Sequence, residues 1–286
     1  MKIFKLLPLF ALLAFVACND DDDTTSAAAT SEFEMEFDNV FGDGANQRDF
    51  TLNAVGDTDY PYTNELGQPF NVTFLRYFIS EVTLHNEDGT DYNVPMSVSA
   101  DDAEGFFLIR AEASGSSLVR LDNVPVGNYN AVSFTIGVDS NGVVEGAAGG
   151  ILDPVANQMF WSWNAGYVAL KVEGQSPNAA GGAFGNTIDT SVANAFVYHI
   201  GGWKEIAGTP LAYNNRRVRL EFFDNAIVEE GSIPHAHLEV DVQKMIDGVQ
   251  NVDFTGNNNV HSPADGKALG LPDNMESAFR FDHLHQ

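Results

Sequence analysis

Apolar and polar residues alternate at period two in short runs along this chain. That feature limits the possible folds more than any other. Phe33, Met35 and Phe37 are interleaved with Glu32, Glu34 and Glu36. Val132, Phe134, Ile136 and Val138 repeat the pattern, as do Val218, Leu220 and Phe222 set between Arg217, Arg219 and Glu221. Leu238, Val240 and Val242 alternate with Glu239 and Asp241. Successive side chains of a strand point to opposite faces, so each run predicts a half-buried strand. In Asn71 to Leu84 the apolar parity switches near Phe74 to Ile79, which predicts burial on both faces or a bulge. Helical patterns are few. Lys244 to Gly248 fits one turn, and Leu271, Met275 and Phe279 are spaced for a short helix over Asp273 to Phe279, capped by Asp273. With no repeat of fixed period, the expectation is an all-β, antiparallel β-sandwich with long loops and one or two short helices.

Turn chemistry fits this reading. Asn86-Glu87-Asp88-Gly89 reads as a hairpin turn. Pro125-Val126-Gly127-Asn128-Tyr129 joins two strands: Pro presets one turn dihedral and Gly allows positive φ. Asn141 to Gly150 is glycine-rich but lacks the lysine and following helix of a phosphate-binding loop, which argues against nucleotide binding. Gln175 to Ser191 and Gln250 to Asp265 read as loops. The segment Gln158 to Gly174 carries Trp161 and Trp163, two of the three tryptophans. Trp161, Trp163, Ala165 and Tyr167 share one parity, so a continuous strand would set them on one face, with Gly166 introducing a bend or bulge.

The first 17 residues combine Lys2 and Lys5 with an apolar run too short for a stable membrane span, and read as a signal peptide. Phe15-Val16-Ala17-Cys18 resembles a bacterial lipobox, and Cys18 is the chain's one cysteine. Cleavage before it would leave a lipidated first residue on a tether over residues 18–32 and a single folded domain over 33–286. The acidic run Asn19 to Asp23 resembles the surface-export signal of Bacteroidetes lipoproteins. The expected location is therefore the bacterial outer membrane, lipid-anchored and exposed at the cell surface. A formal net charge of −26 repels nucleic acid and anionic headgroups and suits cations.

Seven histidines are present: His85, His199, His235, His237, His261, His283 and His285. With no cysteine in the folded part, a transition-metal site must draw on imidazole or carboxylate, and imidazole suits copper and zinc. His283 and His285 share one parity, as do His235 and His237. Asp282 is placed to orient a neighbouring imidazole. Acidic loops such as Asn86 to Asp91 do not match the EF-hand spacing. There is no His-Glu-x-x-His, no Gly-x-Ser-x-Gly and no cysteine nucleophile, so the chain is not expected to be an enzyme.

Several words of the sequence occur in a telling order. Ile136-Gly137-Val138-Asp139-Ser140 and Gly150-Ile151-Leu152-Asp153-Pro154 precede the tryptophan segment. Tyr198-His199-Ile200-Gly201-Gly202 and the terminal Phe281-Asp282-His283-Leu284-His285 follow it. Together they resemble the MbnP-like family of copper-binding proteins, over most of the chain after about residue 33. The resemblance implies a copper site in which two histidines are joined by a tryptophan oxidised to kynurenine, a modification made by a dihaem cytochrome c peroxidase-like partner. Trp161 and Trp163 are the candidates for modification, with Trp203, four residues after His199, kept open. The Trp-x-His spacing of some relatives is absent. The site expected from these words is His199, His283 and His285 beside Trp161 and Trp163. Two other readings compete with copper binding. One is a non-catalytic surface sandwich for adhesion or glycan binding, and the other is a peroxidase substrate whose tryptophan relays electrons.

Overall fold

The computed structural model describes residues 29–113, 115–140, 143, 148–189 and 191–286. Cys18, the residues expected to form a signal peptide, most of the expected tether and most of the glycine-rich 141–150 segment lie outside them. Eleven principal strands build the domain. They are β1 (Thr30–Phe41), β2 (Pro69–Asn86), β3 (Phe106–Arg110), β4 (Leu118–Pro125), β5 (Gly127–Ile136) and β6 (Phe160–Ser162). They continue with β7 (Gly166–Gln175), β8 (Ala195–Gly201), β9 (Arg216–Val228), β10 (His235–Asp241) and β11 (Phe279–His285). A smaller sheet runs β11-β10-β1, with β4 and the short Arg48–Asp49 strand also paired to β1. A larger sheet runs β9-β5-β2-β7-β8, with β3 and β6 attached.

The two sheets face each other across one core, so the all-β sandwich read from alternation is the fold observed. Phe33, Met35 and Phe37 of β1 are fully buried there. Each contributes roughly 1.5–3 kcal/mol through removal from water. Phe37 meets Phe134 edge-on at 5.5 Å and Phe33 stacks on Phe222 at 6.2 Å, which ties the small sheet to the large one. Among the described residues, pairing is antiparallel except in two places. β1 runs parallel to β10, and β8 runs parallel to the short strand Asn259–Val260. β5 follows β4 through the Pro125–Tyr129 turn and changes sheet there, and the Tyr129 hydroxyl donates to the Pro125 carbonyl at 2.8 Å.

The large sheet is covered on its outer face as well. Phe78, Leu108, Leu152, Tyr167, Val168 and Trp203 form a second apolar cluster, and Ala183, Ile188, Ala195 and Val197 form a third. This explains the parity switch in β2, which is buried on both faces and bulges at Glu81 (φ 51°). The loop over residues 175–191 is not simply exposed, since it supplies part of that cover through buried Ala183 and Ile188, while its Ala179 joins the main core.

Three expectations are corrected. The tryptophan segment is a tight hairpin and not one strand: Phe160 pairs Tyr167, Ser162 pairs Gly166, and Gly166 turns at φ 87°. A side chain at Gly166 would run into the Trp203 ring. The last helix spans Leu271–Ser277 with Gly270 at its N-cap, so Asp273 lies inside the first turn. Short α-helices number four among the described residues, because Asp153–Pro154 and Ser262–Pro263 each combine a capping side chain with a proline in the first turn.

Candidate functional site

His199 lies on β8, on the outer face of the large sheet, in register with Lys171 of β7. Its Nε2 is 2.9 Å from Oε1 of Glu173, and both side chains are buried. Glu173 also accepts from the Asn186 N–H at 2.6 Å, the Thr187 N–H at 2.9 Å and the Thr187 hydroxyl at 3.0 Å. Burial by itself would raise this carboxyl, but the bonds from His199, Asn186 and Thr187 outweigh it and hold the pKa below the usual value. An ionised carboxylate can only accept, so His199 donates from Nε2 and its Nδ1 carries the lone pair. Burial pushes the His199 pKa down to about 4, against the pull of Glu173, so the ring is neutral at neutral pH.

His261 stands over this ring, with centroids 4.7 Å apart. Neither of its ring nitrogens hydrogen-bonds to a described residue. The two imidazoles open into a pocket of about 540 Å³ whose wall includes Trp161, Lys171 and Phe184. Trp161 Nε1 is buried with no hydrogen-bond partner among the described residues. Lys171 donates to the Gln158 carbonyl and to Asn186 Oδ1, and its pKa falls to about 8 through burial, partly offset by Glu173. The loop wraps closely over the carboxylate: a Cβ at Gly185 would run into Glu173.

Trp163 does not line this pocket. It packs on Phe160 at 4.9 Å and on Trp203 at 6.4 Å, and Trp203 in turn meets Tyr167 at 5.9 Å. Of the two candidate tryptophans, Trp161 is therefore the one beside the His199 ring.

His283 and His285 lie elsewhere, on β11 of the smaller sheet. The structure does not bring His199 to them. They sit beside His235 and His237 of β10, with His235 opposite His285 and His237 opposite His283. Among the described residues, neither cluster of three or more metal-ligand side chains includes His199. The expected trio is thus divided between sheets, for a physical reason. His199 occupies the outer face of the large sheet, whereas the terminal strand closes the edge of the small one. Sequence reasoning gave His261 too little weight. It sits in a polar stretch with no periodicity, and only the return of that loop beside β8, through Asn259–Val260, sets it against His199. His85 is held by Asp91 and Ser133, each at 2.8 Å, away from both clusters.

Fold and pocket define an all-β sandwich with a carboxylate-anchored histidine, a second imidazole and a tryptophan grouped on one outer face. The sequence matches the MbnP family over residues 30–262, and the chain belongs to that family. Among solved structures it is similar to MbnP from Methylosinus trichosporium, at 15% identity and a TM-score of 0.48, with 79% of this chain and 80% of that chain covered. No curated protein matches it.

Proposed function

We propose that this chain is a lipid-anchored, cell-surface copper-binding protein whose site is the His199–His261 pocket beside Trp161. The observation that carries the reading is the pairing of the two rings. One imidazole is fixed by a buried carboxylate with Nδ1 left over, and a second imidazole, without a hydrogen bond to any described residue, lies 4.7 Å away. A carboxylate that holds the remote nitrogen of a histidine fixes its tautomer and strengthens it as a metal ligand. Imidazole nitrogen suits copper. The pocket also fits the modification that the family resemblance implies, because Trp161 Nε1 is a buried donor with nothing to bond. Oxidation by two equivalents of peroxide at a dihaem peroxidase-like partner would cleave the indole C2–C3 bond and release two waters. Hydrolysis of the formyl group, with loss of formic acid, would then leave kynurenine. Its aniline nitrogen and ketone are ligand atoms that tryptophan lacks. Copper, when bound, would be held by His199, His261 and the altered Trp161 side chain, with Glu173 orienting His199.

Metal analysis and intact-mass measurement of protein from its native host test this reading. Copper together with a tryptophan-to-kynurenine mass shift supports it. A mass shift without metal points to an electron-relay substrate, and no metal with glycan affinity points to an adhesion sandwich. His199→Ala and His261→Ala should each weaken copper binding about tenfold or more, while His85→Ala should not. Binding that is unchanged in both pocket variants rejects the site. Cys18→Ala should move the protein from membranes to a soluble fraction, and unchanged membrane association rejects the anchor.

A further inference from the structure

On the solvent face of the small sheet, β1, β10 and β11 set three rows side by side, one of carboxylates and two of histidines. Glu34, Glu36 and Asp38 of β1 lie next to His235 and His237 of β10, which lie next to His285 and His283 of β11. The rings are in contact. His235 stacks on His237 at 4.5 Å, and His237 stacks on His283 at 4.3 Å with planes 7° apart. His285 stands edge-on to His283 at 4.8 Å and to His237 at 5.3 Å. Ligand atoms of His237, His283 and His285 lie within 4.8 Å of one another.

Carboxylates orient two of these rings. Asp38 bonds His237 Nδ1 at 2.8 Å and Asp282 bonds His283 Nδ1 at 2.7 Å. Both rings are thereby left with Nε2 as the lone-pair nitrogen. His283 Nε2 already approaches His285 Nε2 at 3.1 Å. A surface chosen only for solubility would not gather four of the chain's seven histidines on one patch and fix two of them by the remote nitrogen. His235 adds a buried Nε2 with no hydrogen-bond partner among the described residues, 3.3 Å from a Glu36 carboxylate oxygen.

We propose that His237, His283 and His285 form a second metal site, for a divalent late first-row ion such as Zn²⁺. Asp38 and Asp282 position two of the ligands, and His235 and Glu36 flank the site. The three imidazoles supply neutral nitrogen donors, the ligand type that zinc, copper and nickel share. The site is separate from the His199 pocket, needs no modified tryptophan, and stands or falls independently of it.

Zinc chloride titrated calorimetrically into the tag-free mature chain tests the proposal. Wild type and His199→Ala should both bind one Zn²⁺ at this site, and the double variant His237→Ala/His283→Ala should bind it about tenfold or more weakly. Asp38→Asn and Asp282→Asn should each weaken zinc without removing it, as positioning residues would. Zinc should also raise the thermal midpoint of wild type and not that of the double variant. The cluster side chains lie on the outer face of the small sheet, whereas His199 is buried, so circular dichroism verifies that each variant folds. Zinc binding by the double variant equal to wild type overturns the proposal, as does a wild type that takes up no zinc. Loss of zinc in His199→Ala alone would place the ion in the other pocket and overturn it equally.

Discussion

At the floor of the outer-face pocket, Glu173 accepts bonds from one side chain of the sheet and from the loop that closes over it. Its charge keeps His199 in a single tautomer and partly balances Lys171. Glu173→Gln leaves a neutral amide that cannot favour one tautomer in the same way. Copper affinity should fall about tenfold to a hundredfold with the pocket otherwise intact, as measured by competition with a chromogenic chelator. A second buried acid behaves in the opposite sense. Burial raises the Asp247 pKa to about 6, although the Glu65 N–H donates to it at 2.8 Å. The folded state therefore holds this proton more tightly than the unfolded chain, whose value is near 3.8. Its contribution to stability is present below pH about 4 and is lost as pH rises to about 6. Asp247→Asn should accordingly stabilise the protein at pH 7, by about 1–2 kcal/mol after allowance for solvent screening, and by less at pH 4. Chemical denaturation at the two pH values checks the difference.

Among the elements, β11 shows how one residue reassigns a whole face. Phe279, Phe281, His283 and His285 share one parity, so a regular strand would send all four side chains the same way. Instead Phe279 and Phe281 are in the core and the two histidines are outside. The pairing with β10 shifts between His237–His283 and Leu238–Phe281, which leaves Asp282 as an extra residue. A bulge of this kind turns every later side chain to the opposite face. It also places the Asp282 carboxylate beside His283. Deleting Asp282 removes the bulge and sets His283 directly after Phe281, at the opposite parity, so both histidines stay outside in a regular strand. What is lost is the carboxylate on His283 Nδ1. Zinc binding at the cluster should weaken about tenfold without disappearing, as calorimetric titration measures. A deletion variant that lost zinc altogether would show that the bulge geometry, and not the carboxylate alone, holds the ligands together.

Over the whole molecule, a formal charge of −26 repels itself in the compact state. Added salt screens exposed charges beyond roughly 10 Å at 0.1 M, so moving from low salt to that range should raise the thermal midpoint by a few degrees. Calorimetry at the two ionic strengths measures it, and an unchanged or lower midpoint would mean that the local ion pairs dominate. Local periodicity was enough to place most strands, the buried faces of β1 and β5 and the turn at Pro125–Tyr129, because alternation and turn chemistry act between neighbours along the chain. The match of residues 30–262 to the MbnP family rests on the same linear information. Which histidines meet was decided only in three dimensions. The parallel pairing of β1 with β10, the bulge at Asp282 and the return of the Asn259–Val260 loop each depend on contacts between distant segments. No run of adjacent residues carries that information. His199 therefore came to rest against Glu173 and His261, and His283 and His285 against His237, because two packed sheets have separate outer faces and a strand can belong to only one of them.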